Sequence, residues 1–493
     1  MTQSSKALVV AASALVAIAL GVWQLEAQRS GLAITEAVVD GTPVTYYAMA
    51  GSDPAPVIVV AHGFAGSRPL MEAYALALAQ AGYVVASFDF EGHGQNPMPM
   101  SGDVTSVDGT TRLLIEETLR VVDAASALAE ANGQVSLLGH SMASDIIIRA
   151  AQSEPAIDAV IAISPFSEAV TAEQPSNFLM VTGEWEPQLR AFALEAAQMV
   201  DVSATENAFV TGGQGGVVRE AFVAPNVEHV GVLFSKPGIE RSIDWLNMTY
   251  GRDATAPVPA RLAWVGLVLS GTVVLAWPLS RLIPQRSRLD AMVGGKRVLA
   301  ALLVPPLVAP ALALFFPQGF LPVLVADYLA VHMAIYGALQ LLILRGAWPR
   351  IDGLCVAVGF AAAAYGIAVF GMALDRYFAN FTPTAARAPI ITALALGSVL
   401  YMLADNVMAS VLPRLWQRVA MRLAFLASLG IAVALDFERL FFLILIIPII
   451  ILFYLVFGFG GRWIAERIGP LAPGLGMGLL LAWSLGVTFP LFA

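Results

Sequence analysis

Cysteine is almost absent from this sequence of 493 residues: only Cys355 occurs, inside a long apolar run. A single thiol forms no disulfide within the chain, and no set of cysteine and histidine residues has the spacing of a metal site. Motifs typical of haem, nucleotide or other cofactor sites are missing as well. The sequence therefore predicts neither a metal nor a cofactor.

Charged side chains are also scarce, at 13% of the residues against about 25% in an average soluble protein. Lysine occurs only at positions 6, 236 and 296, and the formal net charge is −9 at pH 7. A nucleic-acid-binding protein is expected to present a basic surface, which this composition does not provide. No nucleic-acid partner is predicted.

Apolar residues make up 58% of the chain and are concentrated in its second half. A run of about 18 or more apolar residues predicts a membrane-spanning helix. The first run, residues 7–23, is uncharged, and the following Leu-Glu-Ala is a poor signal-peptide cleavage site, so a retained anchor is favoured over a cleaved leader. Eight further runs cover about residues 259–280, 298–316, 320–343, 352–373, 388–411, 419–435, 439–459 and 469–491.

These runs divide the chain into an N-terminal anchor (residues 1–29), a globular domain (30–252) and a membrane domain of about eight helices (253–493). Lysine and arginine in the loops indicate orientation, because both are enriched on the cytoplasmic side. With a cytoplasmic N-terminus, thirteen of them lie in inner loops and six in outer loops near the spans. We therefore expect a multi-pass protein of the cell (inner/plasma) membrane with an extracytoplasmic globular domain.

A few ionisable residues fall inside the predicted spans, where an uncompensated charge is costly. Asp327 and His332 share one span, five residues apart, and Asp405 lies in another. They are compatible with a proton or ligand path, or with hydrogen bonds between helices. The second reading is favoured, since no transporter signature or repeat is evident.

The globular domain alternates short β-branched runs with helical stretches, a pattern typical of a mostly parallel sheet covered by helices. A hairpin is predicted over residues 35–48 and a last strand over 220–224, after a glycine-rich loop at 202–218. The other predicted strands cover residues 56–61, 83–90, 134–138, 157–163 and 177–182, and the predicted helices cover 68–81, 110–131, 141–152 and 187–200.

The strongest chemical signal is Gly139-His140-Ser141-Met142-Ala143, placed where a predicted strand ends and a helix begins. This is the nucleophile-elbow pattern G-x-S-x-G with alanine in the last position. The turn needs small residues on both sides of the serine, because larger side chains would collide with the strand and the helix. The positive end of the helix dipole also favours negative charge beside Ser141.

With this motif, residues 32–250 resemble the α/β-hydrolase superfamily of serine esterase-lipase type. The resemblance implies an oxyanion hole made by the backbone N–H groups of Phe64, in Ala61-His62-Gly63-Phe64, and Met142. It also implies that Asp89-Phe90-Glu91-Gly92-His93-Gly94 is a structural turn in which His93 braces the loop.

The same resemblance places a triad acid after the strand at 177–182 and a base after the last strand. Glu186, in Gly183-Glu184-Trp185-Glu186-Pro187, takes the place of the usual aspartate, with Glu184 as the competing candidate. His229 is the only histidine between this acid and the membrane half. The implied catalytic set is Ser141, His229 and Glu186.

The leading hypothesis is a serine hydrolase that cleaves an acyl ester, thioester or amide through an acyl-enzyme. A membrane acyltransferase with the same triad and a transporter or sensor with a ligand-binding hydrolase-like domain are the alternatives. Residues 164–176 are too few for a helical cap. Either the membrane domain or the bilayer completes the site for a lipid or lipidated substrate, or the protein is a small esterase with an open cleft.

Overall fold

The computed structural model describes residues 3–103, 106–212, 216–286, 293–317, 319–347 and 351–493. The strands are β1 Leu32–Val39, β2 Thr42–Met49, β3 Ala55–Ala61, β4 Val84–Phe88, β5 Ala131–His140, β6 Ile157–Ile163, β7 Asn177–Gly183, β8 Phe209–Gly212 and β9 Val217–Ala224. The helices are α1 Gln3–Ala27, α2 Glu72–Gln80, α3 Arg112–Ser126, α4 Met142–Ser153, α5 Pro187–Gln198, α6 Lys236–Tyr250, α7 Arg261–Ser280, α8 Gly295–Leu314, α9 Ala326–Ile343, α10 Gly353–Tyr365, α11 Met372–Asp375, α12 Ala388–Val411, α13 Leu415–Leu435, α14 Phe437–Leu440, α15 Leu443–Ile468 and α16 Leu471–Thr488.

The chain divides into two compact units. The head unit consists of Val22–Val265, Asp375–Asn380 and Pro490–Ala493. The helical unit consists of Met1–Gly21, Gly266–Leu374 and Phe381–Phe489. The predicted boundaries at residues 29 and 252 stay predictions, but two short segments from the membrane half of the sequence pack with the head.

The head is built on one nine-stranded sheet with the order β1-β2-β4-β3-β5-β6-β7-β9-β8. Strands β4, β3, β5, β6, β7 and β9 run parallel, whereas β1, β2 and β8 pair antiparallel to their neighbours. Every residue of β3 is buried, as expected of a strand covered by helices on both faces. This architecture confirms the predicted α/β-hydrolase fold.

The loop predicted at residues 202–218 is partly wrong, because β8 lies inside it and pairs with β9 along Phe209–Gly212. A four-residue strand carries little hydrophobic periodicity, and pairing with β9 stabilises it. The glycine-rich stretch at 213–215 lies outside the described residues. The chain at 164–176 contains no helix, as expected of a minimal cap.

Within the described residues, nine helices are long and apolar enough to cross a membrane, in agreement with the nine predicted runs. Several helices begin a few residues away from the predicted runs, and α13 begins at Leu415 and not at 419, so Arg422 lies in the third turn of the helix. The Arg422 guanidinium pairs with Asp405 of α12 at 3.2 Å and stacks on the ring of Tyr454. These contacts compensate a charge that would otherwise end the span.

The other ionisable groups in the spans also bond locally. The His332 ring lies 3.1 Å from the Ser428 hydroxyl and 3.3 Å from that of Tyr328. Asp327 accepts from the backbone N–H groups of Gly319 and Tyr328. The contact of His332 with Ser428 joins α9 and α13, in agreement with the favoured interpretation. Asp327 differs, because it lies in the first turn of α9 and bonds to the preceding loop and to its own helix.

Candidate active site

Ser141 occupies a sharp turn between β5 and α4, with φ 54° and ψ −117°. This conformation is costly for a residue with a side chain and is typical of a nucleophile elbow. A Cβ added to Gly139 would lie 3.0 Å from the carbonyl oxygen and 3.1 Å from the Cβ of Ala143. The small residues predicted around the serine are therefore required by packing.

The structure brings together the three side chains predicted to form the triad, although they lie on three different loops. The Nε2 atom of His229 is 2.9 Å from the Oγ of Ser141. Its Nδ1 is 2.6 Å from the Oε1 of Glu186. Each side chain follows the carboxyl end of a parallel strand (β5, β7 and β9), which is where ligand sites of such sheets lie.

The other carboxylate oxygen of Glu186, Oε2, accepts hydrogen bonds from the backbone N–H of Gly183 at 2.6 Å and from the Ser164 hydroxyl at 2.7 Å. Burial alone would raise the pKa of Glu186, but the hydrogen bonds from His229, Gly183 and Ser164 together lower it. The carboxylate is thus held ionised beside the imidazole. Glu184 instead accepts from the backbone N–H of Asn226 at 2.7 Å.

The loop predicted to supply an oxyanion donor packs directly on the serine. A Cβ added to Gly63 would lie 3.0 Å from the Ser141 Cβ. The Nε2 atom of the buried His62 accepts a hydrogen bond from the backbone N–H of Phe90. The hydrogen of the ring is therefore on Nδ1, which donates to the Gly63 carbonyl at 2.8 Å. These bonds set the path of the backbone that leads to Phe64. The donor roles of Phe64 and Met142 stay predictions.

The turn at residues 89–94 packs against the loop that carries Phe64. Asp89 is fully buried, and its carboxylate accepts from the backbone N–H of Arg68 at 2.8 Å and from its Nε at 3.1 Å. The His93 ring meets the Phe64 ring edge-to-face at 5.8 Å, and its Nδ1 lies 2.9 Å from the Glu91 carbonyl. The contacts of His93 fit the bracing role predicted for it.

His140 is a site residue that sequence reasoning missed. Its Nε2 lies 2.9 Å from the carbonyl oxygen of His229, to which an Nε2–H group donates. Burial, reinforced by the neighbouring His229, lowers the pKa of His140 to about 3, so the ring is neutral. His140 therefore anchors the backbone of the His229 loop. Its position next to the serine in the elbow motif was the available signal.

Residues 52–205 match the protein family described as serine aminopeptidase, S33. The head is therefore a hydrolase domain of the α/β-hydrolase type. The matched segment includes Ser141 and Glu186 and ends before His229. No curated protein matches the chain.

Several solved structures are similar to less than half of the chain. A "predicted CIB-like hydrolase" from Thermoplasma acidophilum is 20% identical, covering 44% of this chain and 100% of its own with a TM-score of 0.33. An epoxide hydrolase from an endophytic Streptomyces is 13% identical, with 45% and 97% covered and a TM-score of 0.33. A bacterial membrane phospholipase A is 16% identical, with 49% and 96% covered and a TM-score of 0.34.

The neutral, buried His140 predicts an acid-sensitive head. Because its pKa is lowered on folding, the unfolded chain binds a proton at this residue below about pH 6.5 that the folded chain does not. Stability is therefore lost as the pH falls, by about 2 kcal/mol between pH 7 and pH 5. In His140→Gln the side chain does not titrate. The difference in unfolding free energy between wild type and variant should therefore change by about 2 kcal/mol between pH 7 and pH 5. Denaturant unfolding followed by fluorescence at the two pH values checks it, and a difference independent of pH would contradict it.

Proposed function

We propose that this protein is a membrane-bound serine hydrolase that cleaves an acyl ester, thioester or amide through a covalent acyl-enzyme. The observation that carries the proposal is the hydrogen-bonded chain from Ser141 through His229 to Glu186. A hydroxyl is a weak nucleophile at neutral pH and needs an adjacent base that is itself oriented by a third group. A protein that only binds a ligand has no need of this arrangement.

In the proposed mechanism, the Ser141 hydroxyl attacks the acyl carbonyl carbon while its proton passes to Nε2 of His229. Glu186 holds the Nδ1–H tautomer and stabilises the imidazolium that forms. The N–H groups of Phe64 and Met142 bind the oxyanion, a contribution of about 3 kcal/mol per donor. The imidazolium then protonates the leaving group. Water, deprotonated by His229, releases the acid and restores Ser141.

We propose an acyl lipid or lipidated molecule as the substrate class. A groove of about 330 Å³ lies beside the histidine loop, where Glu228 and Gly231 flank His229. Its wall combines the polar Asn226, Glu228 and Arg261 with a larger number of apolar residues, namely Trp185, Val227, Phe234, Pro259, Ala260, Leu262 and Ala263. The last of these belong to the start of a helix apolar enough to span a membrane. Such a lining suits an acyl chain.

The apolar helices support a multi-pass membrane protein, as predicted. The excess of arginine and lysine in the predicted inner loops supports a head on the extracytoplasmic side. Lipids of the outer leaflet or lipidated molecules outside the cytoplasm would then be the accessible substrates.

The assignment of the nucleophile is tested with a fluorophosphonate probe on the full-length protein in detergent. We expect wild type to be labelled and Ser141→Ala not to be, because only an activated serine reacts with the probe. Ser153→Ala is the matched control, since it changes an exposed serine at the end of α4 and should leave labelling within a few-fold. Labelling that persists in Ser141→Ala would disprove the assignment.

The triad acid is tested by comparing Glu186→Gln with Glu184→Gln. Glu186→Gln removes the charge that orients His229 and should lower kcat for p-nitrophenyl butyrate by about 10³-fold or more. Glu184→Gln should stay within about threefold, because that carboxylate only accepts from the backbone of Asn226. The reverse order of the two effects would reassign the acid.

The groove is tested by filling it. Ala260 lies exposed in its wall, and Ala260→Trp should exclude part of an acyl chain. Losing the burial of two methylenes costs about 1.5 kcal/mol, or about tenfold in kcat/KM. We expect this loss for p-nitrophenyl palmitate, with p-nitrophenyl butyrate within twofold. Val202→Trp, at a site 88% exposed and outside the groove, is the control. An equal effect on both esters would rule out the groove as the acyl site.

A further inference from the structure

The head contains a segment that comes from between two candidate membrane spans. Asp375–Asn380, here named the strap, begins at the last residue of α11 and precedes the candidate span Ala385–Val411. Its first half binds near the N-terminal end of the head unit: Arg376 pairs with Glu26 at 3.0 Å, and the Tyr377 hydroxyl donates to the same carboxylate at 2.6 Å. These contacts alone would make the strap a simple attachment.

The end of the strap reaches the loop at residues 62–66, which contains Phe64 and is here named the oxyanion loop. The backbone N–H of Asn380 donates to the hydroxyl of Ser67 at 3.2 Å, and its side-chain amide donates to Asp89 at 3.0 Å. Ser67 directly follows the loop that contains Phe64. Asp89 is the fully buried carboxylate that also binds Arg68. Asn380 thus joins the two sides of the oxyanion loop.

The middle of the strap contacts the other half of the site. The ring of Phe378 stacks on that of Phe234, with centroids 6.2 Å apart and an interplanar angle of 9°. Phe234 ends the short helix Gly231–Phe234, which begins two residues after His229. The six residues of the strap therefore contact both the residues beside the oxyanion loop and the short helix that follows His229.

A second segment supports the same turn. The Leu491 backbone N–H donates to the Gly92 carbonyl at 2.9 Å, and the Leu491 carbonyl accepts from Met100 at 2.8 Å. The turn at residues 89–94 is thus held by two stretches from the membrane half of the sequence. The same turn binds His62 through the N–H of Phe90 at 3.1 Å.

We infer that the end of the strap, residues 378–380, positions the active site and that Asn380 is a positioning residue for the oxyanion loop, whereas Arg376 and Tyr377 only attach the strap to Glu26. The inference rests on the proposed serine hydrolase function. Oxyanion donors stabilise the transition state only when their geometry is preset, and a displacement of about 1 Å far from the chemistry costs up to 10²-fold in rate. Residues 164–176 contain no helical cap that could support the site. The strap, which comes from the membrane half of the sequence, supports it through Asn380 and Phe378.

The test compares full-length Asn380→Ala with Arg376→Ala in detergent. The number of active sites is titrated with a fluorophosphonate, and kcat is expressed per titrated site. For Asn380→Ala we expect kcat for p-nitrophenyl butyrate to fall about tenfold, KM to stay within twofold, and phenylboronic acid, whose tetrahedral adduct uses the oxyanion hole, to bind about tenfold more weakly. Arg376→Ala keeps the contacts of Asn380, so all three values should stay within twofold of wild type.

A purely structural role would reduce the number of titrated sites and leave kcat per site and boronate affinity unchanged, and this result would overturn the inference. Asn380→Gln keeps the amide donor on a longer side chain, so an intermediate kcat supports the inference and a value equal to that of Asn380→Ala contradicts it. If wild type itself is not labelled at Ser141, the proposed function fails. If wild type is labelled and Asn380→Ala matches it per site, only the strap inference fails.

Discussion

The geometry of the candidate active site depends on a hydrogen bond between two side chains that are 43 residues apart, Glu186 and His229. This bond at 2.6 Å selects the tautomer in which Nδ1 carries the hydrogen, and Nε2 is then left to accept from Ser141. Both partners must be held independently, because a free imidazole would rotate. The bonds from Gly183 and Ser164 hold the carboxylate, and His140 holds the backbone of the histidine loop.

The same principle applies to the loop that carries Phe64, the proposed oxyanion donor. Backbone N–H groups can act as fixed dipoles only when their loop is rigid, and rigidity here comes from buried polar groups that are satisfied. Asp89 and His62 are both fully buried and bind backbone groups of the loop and of the turn at 89–94. Asn380 extends this network into a part of the chain that lies far away in sequence.

In the helical unit, polar side chains bond within and between helices. Asp405 is almost fully buried and is compensated by Arg422 and by the Tyr454 hydroxyl at 3.2 Å. Removing a charge from water is costly unless it is paired, so these residues specify which helices pack together. Their contacts explain how charged residues occur in spans without implying a transport path.

Elements that depend on local patterns are predictable from the order of residues alone. The period of apolar residues predicts the strands and spans, and the elbow of small residues around Ser141 identifies the fold, because strand, tight turn and helix are encoded within a few consecutive residues. The family resemblance favoured Glu186 over Glu184, but both follow the same strand, and only the folded loop directs Glu186 to His229. The edge strand β8, the role of His140 and the contacts of the strap also depend on partners distant in the sequence. Only tertiary structure decides these contacts, because hydrogen bonds and ring stacking between remote residues leave no periodic signal along the chain.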